Sequence, residues 1–194
     1  MDDQAKEFQE VVKFHGHACP GLAFGFRVTK LALRELGIDR SSDEELVAVV
    51  ENNSCAVDAI QAMAGCTFGK GNLIFKDHGK QVYTFIKRSS GESVRVAVDW
   101  QPSLEGPETE VAWRKFMSGD RSSEVMELVK ARKAAKMKEI LAAGDDDLFE
   151  LSRPDVTMPE PATIYQTLTC ARCGEKVMET RLIDGLCIPC SEEG

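Results

Sequence analysis

The sequence predicts a chain of mixed helices and strands that closes on a small cysteine-rich module. Three observations carry this. Apolar residues recur at helical spacing over several stretches, most clearly from Pro20 to Leu36. Short β-branched or alternating runs lie between those stretches, at 46–50 and on either side of Ser89-Ser90-Gly91-Glu92. Four of the seven cysteines fall in two CxxC pairs near the end, whereas Cys19, Cys55 and Cys66 are scattered early. A length of 194 residues gives room for one ordinary domain and a small appendage. Hydrophobic residues at 43% and charged residues at 29% suit a soluble globular protein with a real core.

In order, residues 2–13 place Ala5, Phe8, Val11 and Val12 on one face of an amphipathic helix. A second helix starts at about Pro20, continues through Leu22, Phe26, Leu33 and Leu36, and stops before Gly37, a left-handed terminus. The run 46–50 reads as a buried strand. It empties into Glu51-Asn52-Asn53-Ser54-Cys55, where Asn53 or Ser54 can cap a helix that Gly65 closes. Residues 73–75 form a strand, and 81–88 and 93–99 form a hairpin. Residues 108–117 and 122–143 are helical, and 148–151 is one more strand. The basic stretch 130–138 reads as a solvated helix face. Pro154, Pro159 and Pro161 mark a connector, which puts the core at 1–158 and the terminal module at 159–194.

The stretch Phe14-His15-Gly16-His17-Ala18-Cys19-Pro20-Gly21 carries the chemistry of the core. In an extended segment His15, His17 and Cys19 face one way. Cys19 falls at or next to a helix N-terminus, where unpaired amides and the helix dipole favour a thiolate. A thiolate beside imidazoles suits zinc or another late first-row metal. The alternative is that Cys19 packs as a small hydrophobe and the histidines cap. Cys55 is a second cysteine near a helix start, and Asp58 lies on its helical face. The loop Gly69-Lys70-Gly71 lacks the spacing of a phosphate-binding P-loop.

Cys170-Ala171-Arg172-Cys173 and Cys187-Ile188-Pro189-Cys190, with residues 174–186 between them, suit a closed tetrahedral zinc site. Two redox dithiols or an iron site are the alternatives. A hairpin turning at about Asp184-Gly185 fits the intervening stretch, and so small a module should depend on its metal to fold. The formal charge of −8 argues against a general binder of nucleic acid. No apolar run approaches a bilayer span, and the cysteine distribution points to a reducing cytoplasm.

The segments 14–21, Glu51-Asn52-Asn53-Ser54-Cys55-Ala56-Val57-Asp58-Ala59-Ile60-Gln61 and Gly65-Cys66-Thr67-Phe68-Gly69-Lys70-Gly71-Asn72 resemble the signature of the formylmethanofuran dehydrogenase E-subunit family, over roughly residues 8 to 150. The CxxC pairs resemble the treble-clef zinc finger that some members add at the C-terminus. The resemblance implies an α+β core with an antiparallel sheet packed against helices, a homodimer, and a metal-capable cleft. By position that cleft holds His17 and Cys19, with Cys55 opposite and His15, Asp58 and Cys66 in a second rank. The family name points to the molybdenum or tungsten enzyme that reduces carbon dioxide to a formyl group. This chain carries no ferredoxin-type CxxCxxCxxxC run and no evident pterin motif, so it does not perform that redox chemistry alone.

Three functions follow as expectations. The first is a cytoplasmic zinc-binding accessory protein of one-carbon metabolism, with a core metal on His17, Cys19 and Cys55 and structural zinc on Cys170, Cys173, Cys187 and Cys190. The second is an enzyme in which Cys19 is the nucleophile and His17 its base. The third is an adaptor whose zinc finger binds a protein or, against the charge balance, nucleic acid.

Overall fold

The computed structural model describes residues 3–192, so Asp2, where the first expected helix begins, lies outside the described residues. The chain divides into two compact units, residues 1–160 and residues 161–194.

In the first unit, α1 (Asp3–His15) and α2 (Pro20–Leu36) precede β1 (Leu46–Val50). Then come α3 (Ala56–Ala64), β2 (Leu73–Phe75), β3 (Val82–Lys87) and β4 (Ser93–Val98), followed by α4 (Pro107–Met117), α5 (Ser123–Ala142), a single turn α6 (Asp145–Leu148) and β5 (Phe149–Ser152). The fold class is α+β, as expected: a sheet of order β2-β1-β3-β4-β5 packed against helices. The sheet departs from fully antiparallel pairing at one place. β1 and β2 run parallel, Ala48 opposite Leu73, because the chain crosses over through α3 between them. The other pairs, β1–β3, β3–β4 and β4–β5, are antiparallel.

Alternation along the strands explains which face meets the helices. Leu46, Ala48 and Val50 of β1, Tyr83 and Phe85 of β3, and Val94 and Val96 of β4 join Leu22, Phe26, Ala32 and Ile60 in one core. The opposite face is also covered, since Val47, Ile86 and Ser93 are buried. There Ser93 Oγ donates to Pro154 O and Arg88 Nη1 donates to Pro159 O at 2.7 Å, so the proline-rich segment is bonded to the sheet's own residues.

Helix ends follow the sequence closely. Gly37 (φ 54) and Gly65 (φ 70) adopt the left-handed conformation that closes α2 and α3. At the start of α3 Ser54 acts as expected, its Oγ accepting from Ala56 N at 3.4 Å, while Cys55 stands at the assigned N-cap position with no cap hydrogen bond from its side chain. Asn52 is drawn inward: its Nδ2 donates to Lys80 O at 2.6 Å and Tyr83 Oη at 3.1 Å, and its Oδ1 accepts from Ser54 N at 3.0 Å.

Two basic features find partners within the first unit. Lys130, Lys133 and Lys138 of α5 are exposed, as a solvated face requires, while Arg132 and Lys136 are half-buried. Arg132 and Lys136 both pair with Glu105 at 2.6 Å, and the Arg132 guanidinium lies 4.0 Å from the centre of the Trp113 ring. The glycine-flanked Lys70 is a tether, with Nζ donating to the carbonyls of Asp43 (2.8 Å), Ser42 (3.3 Å) and Ser41 (3.5 Å).

That same 41–46 loop carries an acid-sensitive contact. Glu45 Oε2 accepts from Ser41 Oγ at 2.6 Å and Asp43 N at 2.9 Å, and these bonds hold the carboxyl down to about 2 from an ordinary 4.5. A depressed folded-state value contributes stability above the ordinary value and loses it as pH falls through the folded one. The difference in Tm between the protein and Glu45→Gln should therefore be full above pH 4.5 and close as the pH approaches about 2. A gap that persists unchanged at pH 2 would show that the carboxylate is not the source.

In the second unit, β6 (Thr167–Thr169) and β7 (Lys176–Met178) pair around Cys170 and Cys173. A 3-10 turn (Glu179–Arg181) leads to β8 (Leu182–Ile183) and β9 (Leu186–Cys187), and α7 (Ile188–Glu192) carries Cys190. Asp184 (φ 51) and Gly185 (φ 80) form the turn of the second hairpin, where the sequence places it. Among the described residues no helix is long and apolar enough to cross a membrane.

Candidate metal centre

Both N-termini that meet in the core are built by the local sequence. Pro20 starts α2, and Cys19 takes its N-cap in an extended conformation, its Sγ accepting from Leu22 N at 3.4 Å. Cys55 stands at the start of α3. The two helices approach closely because α2 presents Gly21 and Gly25, four residues apart on one face. A Cβ on Gly25 would lie 2.2 Å from Ala56 O and 2.5 Å from its Cα; one on Gly21 would lie 3.3 Å from the Cys55 Cβ. At position 25 only glycine permits this approach, and at position 21 a methyl would crowd Cys55.

His15, at the end of α1, completes the group. A nitrogen of His15 and the sulfurs of Cys19 and Cys55 lie within 4.8 Å of one another, with His15 Nε2 at 4.0 Å from Cys19 Sγ. Gly16 (φ 96) bends the backbone directly after His15 and lets the chain turn into α2. The sequence favoured His17 over His15, and the structure reverses their order. His17 is outside the donor group formed among the described residues; its ring stands against that of His15, centroids 4.4 Å apart. The physical reason is that α1 runs through His15, so the stretch is not one extended strand whose alternate side chains share a side.

The environment of each group follows from its place. Burial pushes the Cys55 thiol above its ordinary value, and the neighbouring Cys19 adds to the effect. Asp58, one helical turn beyond Cys55, accepts from His15 Nδ1 at 2.7 Å, and Gln61 Nε2 donates to its second oxygen at 3.3 Å. Cys66 lies elsewhere. It is fully buried, its thiol donates to Leu46 O at 3.3 Å, and burial raises it to about 12. It behaves as a packed side chain, not a ligand. Its neighbour Asn72 is also structural: Nδ2 donates to Leu46 O (2.9 Å) and Asp43 O (3.1 Å), and Oδ1 accepts from Thr67 N (2.9 Å).

In the C-terminal unit, Cys170, Cys173, Cys187 and Cys190 bring four sulfurs within 4.8 Å of one another. Cys173 and Cys187 sulfurs are 3.9 Å apart. Backbone amides, including Cys187 N at 3.3 Å, hold the Cys170 thiol down at about 6. Four thiols in this arrangement can hold a metal ion, and the cluster fits a zinc finger.

Residues 14–150 match the model of the family described as "FmdE, Molybdenum formylmethanofuran dehydrogenase operon". The chain belongs to the FmdE family. A solved relative from Syntrophus aciditrophicus, a tungsten formylmethanofuran dehydrogenase FmdE-like protein, superposes with a TM-score of 0.64 at 24% identity, covering 98% of this chain and 93% of that one. That likeness extends the shared fold to nearly the whole of this FmdE chain. A protein of Archaeoglobus fulgidus, named a probable S-adenosyl-L-methionine-binding protein, is 34% identical over 190 residues. The match takes in 92% of this FmdE chain and spans about half the length of that relative.

Proposed function

We propose that this FmdE protein is a zinc-binding accessory protein of one-carbon metabolism that works with a formylmethanofuran dehydrogenase. Its core would hold a metal ion on His15, Cys19 and Cys55, and Cys170, Cys173, Cys187 and Cys190 would hold a structural zinc. The observation that carries the reading is the spacing of the core donors. Ligand atoms of a tetrahedral zinc lie about 3.6–3.8 Å apart, given metal–nitrogen and metal–sulfur bonds of about 2.0–2.3 Å. The 4.0 Å between His15 Nε2 and Cys19 Sγ is close to that, as is the 3.9 Å between Cys173 and Cys187 in the terminal cluster.

Three protein ligands leave a fourth position for water or substrate, the arrangement of catalytic zinc sites. An ion bound there supplies Lewis acidity. The chain's own residues hold and orient it: the first turn of α2 offers its amide to Cys19, and Asp58 braces His15. Homodimer formation and a cytoplasmic location belong to the same proposal.

Whole-protein metal analysis tests it. Two equivalents of zinc per chain are expected, falling to one in the Cys19→Ser/Cys55→Ser double variant. An unchanged content in that variant would end the core-metal reading.

A second reading rests on the line Cys19–His15–Asp58, which has the order nucleophile, base, orienting carboxylate. The 4.0 Å contact lies at the outer limit of a hydrogen bond to sulfur, and the third donor, Cys55, beside both groups favours the metal. Rapid, pH-dependent alkylation of Cys19 in metal-free protein would favour the nucleophile; an inert thiol would exclude it.

A further inference from the structure

We infer that Asp58 is the positioning residue of the core centre: it fixes the proton of His15 on Nδ1 and so keeps the Nε2 lone pair directed at Cys19 and Cys55. The inference deepens the metal reading above and rests on it for its consequence, though not for its geometry.

A neutral imidazole carries one N–H, on either nitrogen. With the proton on Nε2, His15 would aim a donor at the two cysteines and have no lone pair there for an ion. An ionised carboxylate only accepts, so a 2.7 Å contact between Asp58 Oδ2 and Nδ1 requires the proton to sit on Nδ1. Nε2 is then the free nitrogen, and it is the one that stands 4.0 Å from the Cys19 sulfur. The His15 side chain is only 10% exposed, so water competes poorly for either nitrogen.

The carboxylate is itself held in place. Gln61 donates to its other oxygen at 3.3 Å. Cys55, Asp58 and Gln61 follow one another at three-residue spacing, hence along one face at the start of α3. One short helix therefore supplies a ligand, the group that orients a second ligand, and the group that steadies the orienter. His17 has no such partner among the hydrogen bonds of the described residues; its ring packs on His15. The orienting carboxylate thus distinguishes the two histidines and reverses the order in which the sequence ranks them. Carboxylate–histidine pairs of this kind, when broken at metal sites, reduce metal affinity about 10- to 100-fold.

The experiment uses the full chain. Nitrogen-15 chemical shifts of His15 in metal-free protein report the tautomer directly. The expected result is Nδ1–H in the intact protein and a shift toward Nε2–H in Asp58→Ala. Zinc affinity is then measured by competition with a chromophoric chelator. Asp58→Ala should weaken the core site about 10- to 100-fold, and Asp58→Asn should weaken it too, because its amide NH2 can donate to Nδ1 and permit the Nε2–H tautomer. The four-cysteine site serves as internal reference and should not change. Circular dichroism establishes that the variants fold, which the 38% exposure of the Asp58 side chain favours.

A nitrogen pattern and a core affinity unmoved in Asp58→Ala would overturn the inference and reduce the pair to a structural contact. If the intact chain takes up only one equivalent of zinc, the metal reading of the core fails instead, and the tautomer shift still decides the role of Asp58.

Discussion

Stripping the proposed zinc from the four-cysteine cluster, or replacing Cys170 by serine, is expected to unfold residues 161–194 while leaving the sheet of the first unit protected. The unit has almost nothing else to fold around. Its buried apolar cluster is Cys170, Cys187 and Cys190 themselves, with Val177 and Leu186 packed against them. Ile164, Leu168, Met178 and Ile183 are all exposed. Its strands are two or three residues long, too short to hold without support. In modules of this kind metal binding contributes about 10–16 kcal/mol, and without it the chain does not fold. Hydrogen exchange gives the check. With a chelator present, the amides of Cys170, Gly174 and Cys187, which bond within the unit, should exchange at unfolded-chain rates. The amides of β3 should not change. Persistent protection in the terminal unit would mean that its fold does not depend on the metal.

Gly25→Ala is expected to cost about 2 kcal/mol of stability, the upper overpacking cost less the helix-propensity gain, and to weaken metal binding at the proposed core site. In an isolated helix this change is favourable, by up to about 1 kcal/mol, because alanine restricts the unfolded chain. Here the new methyl would lie 2.2 Å from a backbone oxygen of α3, and backbone cannot swing aside as a side-chain tip does. Overpacking of this kind typically costs about 1–3 kcal/mol. Relief requires α2 and α3 to separate, which parts Cys19 from Cys55 because each stands at the start of one of these helices. Gly21→Ala makes the milder contact of 3.3 Å with the Cys55 Cβ and should have a smaller effect. Urea titration gives the stability change and chelator competition gives the affinity. A Gly25→Ala protein as stable as the parent, with an unchanged core site, would refute the close-approach account.

The separation of these two effects shows which parts of the molecule were legible in the chain. Hydrophobic periodicity and glycine placement set α2, β1 and the β3–β4 hairpin, because those signals act over a few residues. Position 25 is different. A glycine within a helix reads only as a weak helix former, and nothing local says that another backbone lies against it. The same holds for Arg132 and Lys136, whose partners Glu105 and Trp113 are brought to them by the α4–α5 packing.

By itself the sequence determined a mix of helices and strands, which the family resemblance narrowed to α+β, the positions of most of those elements, and the four-cysteine cluster, whose ligands lie close along the chain and need only short turns to converge. It also placed Cys19 and Cys55 at helix starts. Tertiary structure alone decided which histidine joins them. His15 and His17 differ by two residues, and a sequence pattern cannot tell whether α1 ends before or after the first of them. Asp58, forty-three residues away, makes the distinction by reaching Nδ1 of one ring. The parallel pairing of β1 with β2 was settled in the same way, by the path of α3 over the sheet. Long-range contacts of this kind depend on where whole elements pack, and that is set by the core as a unit.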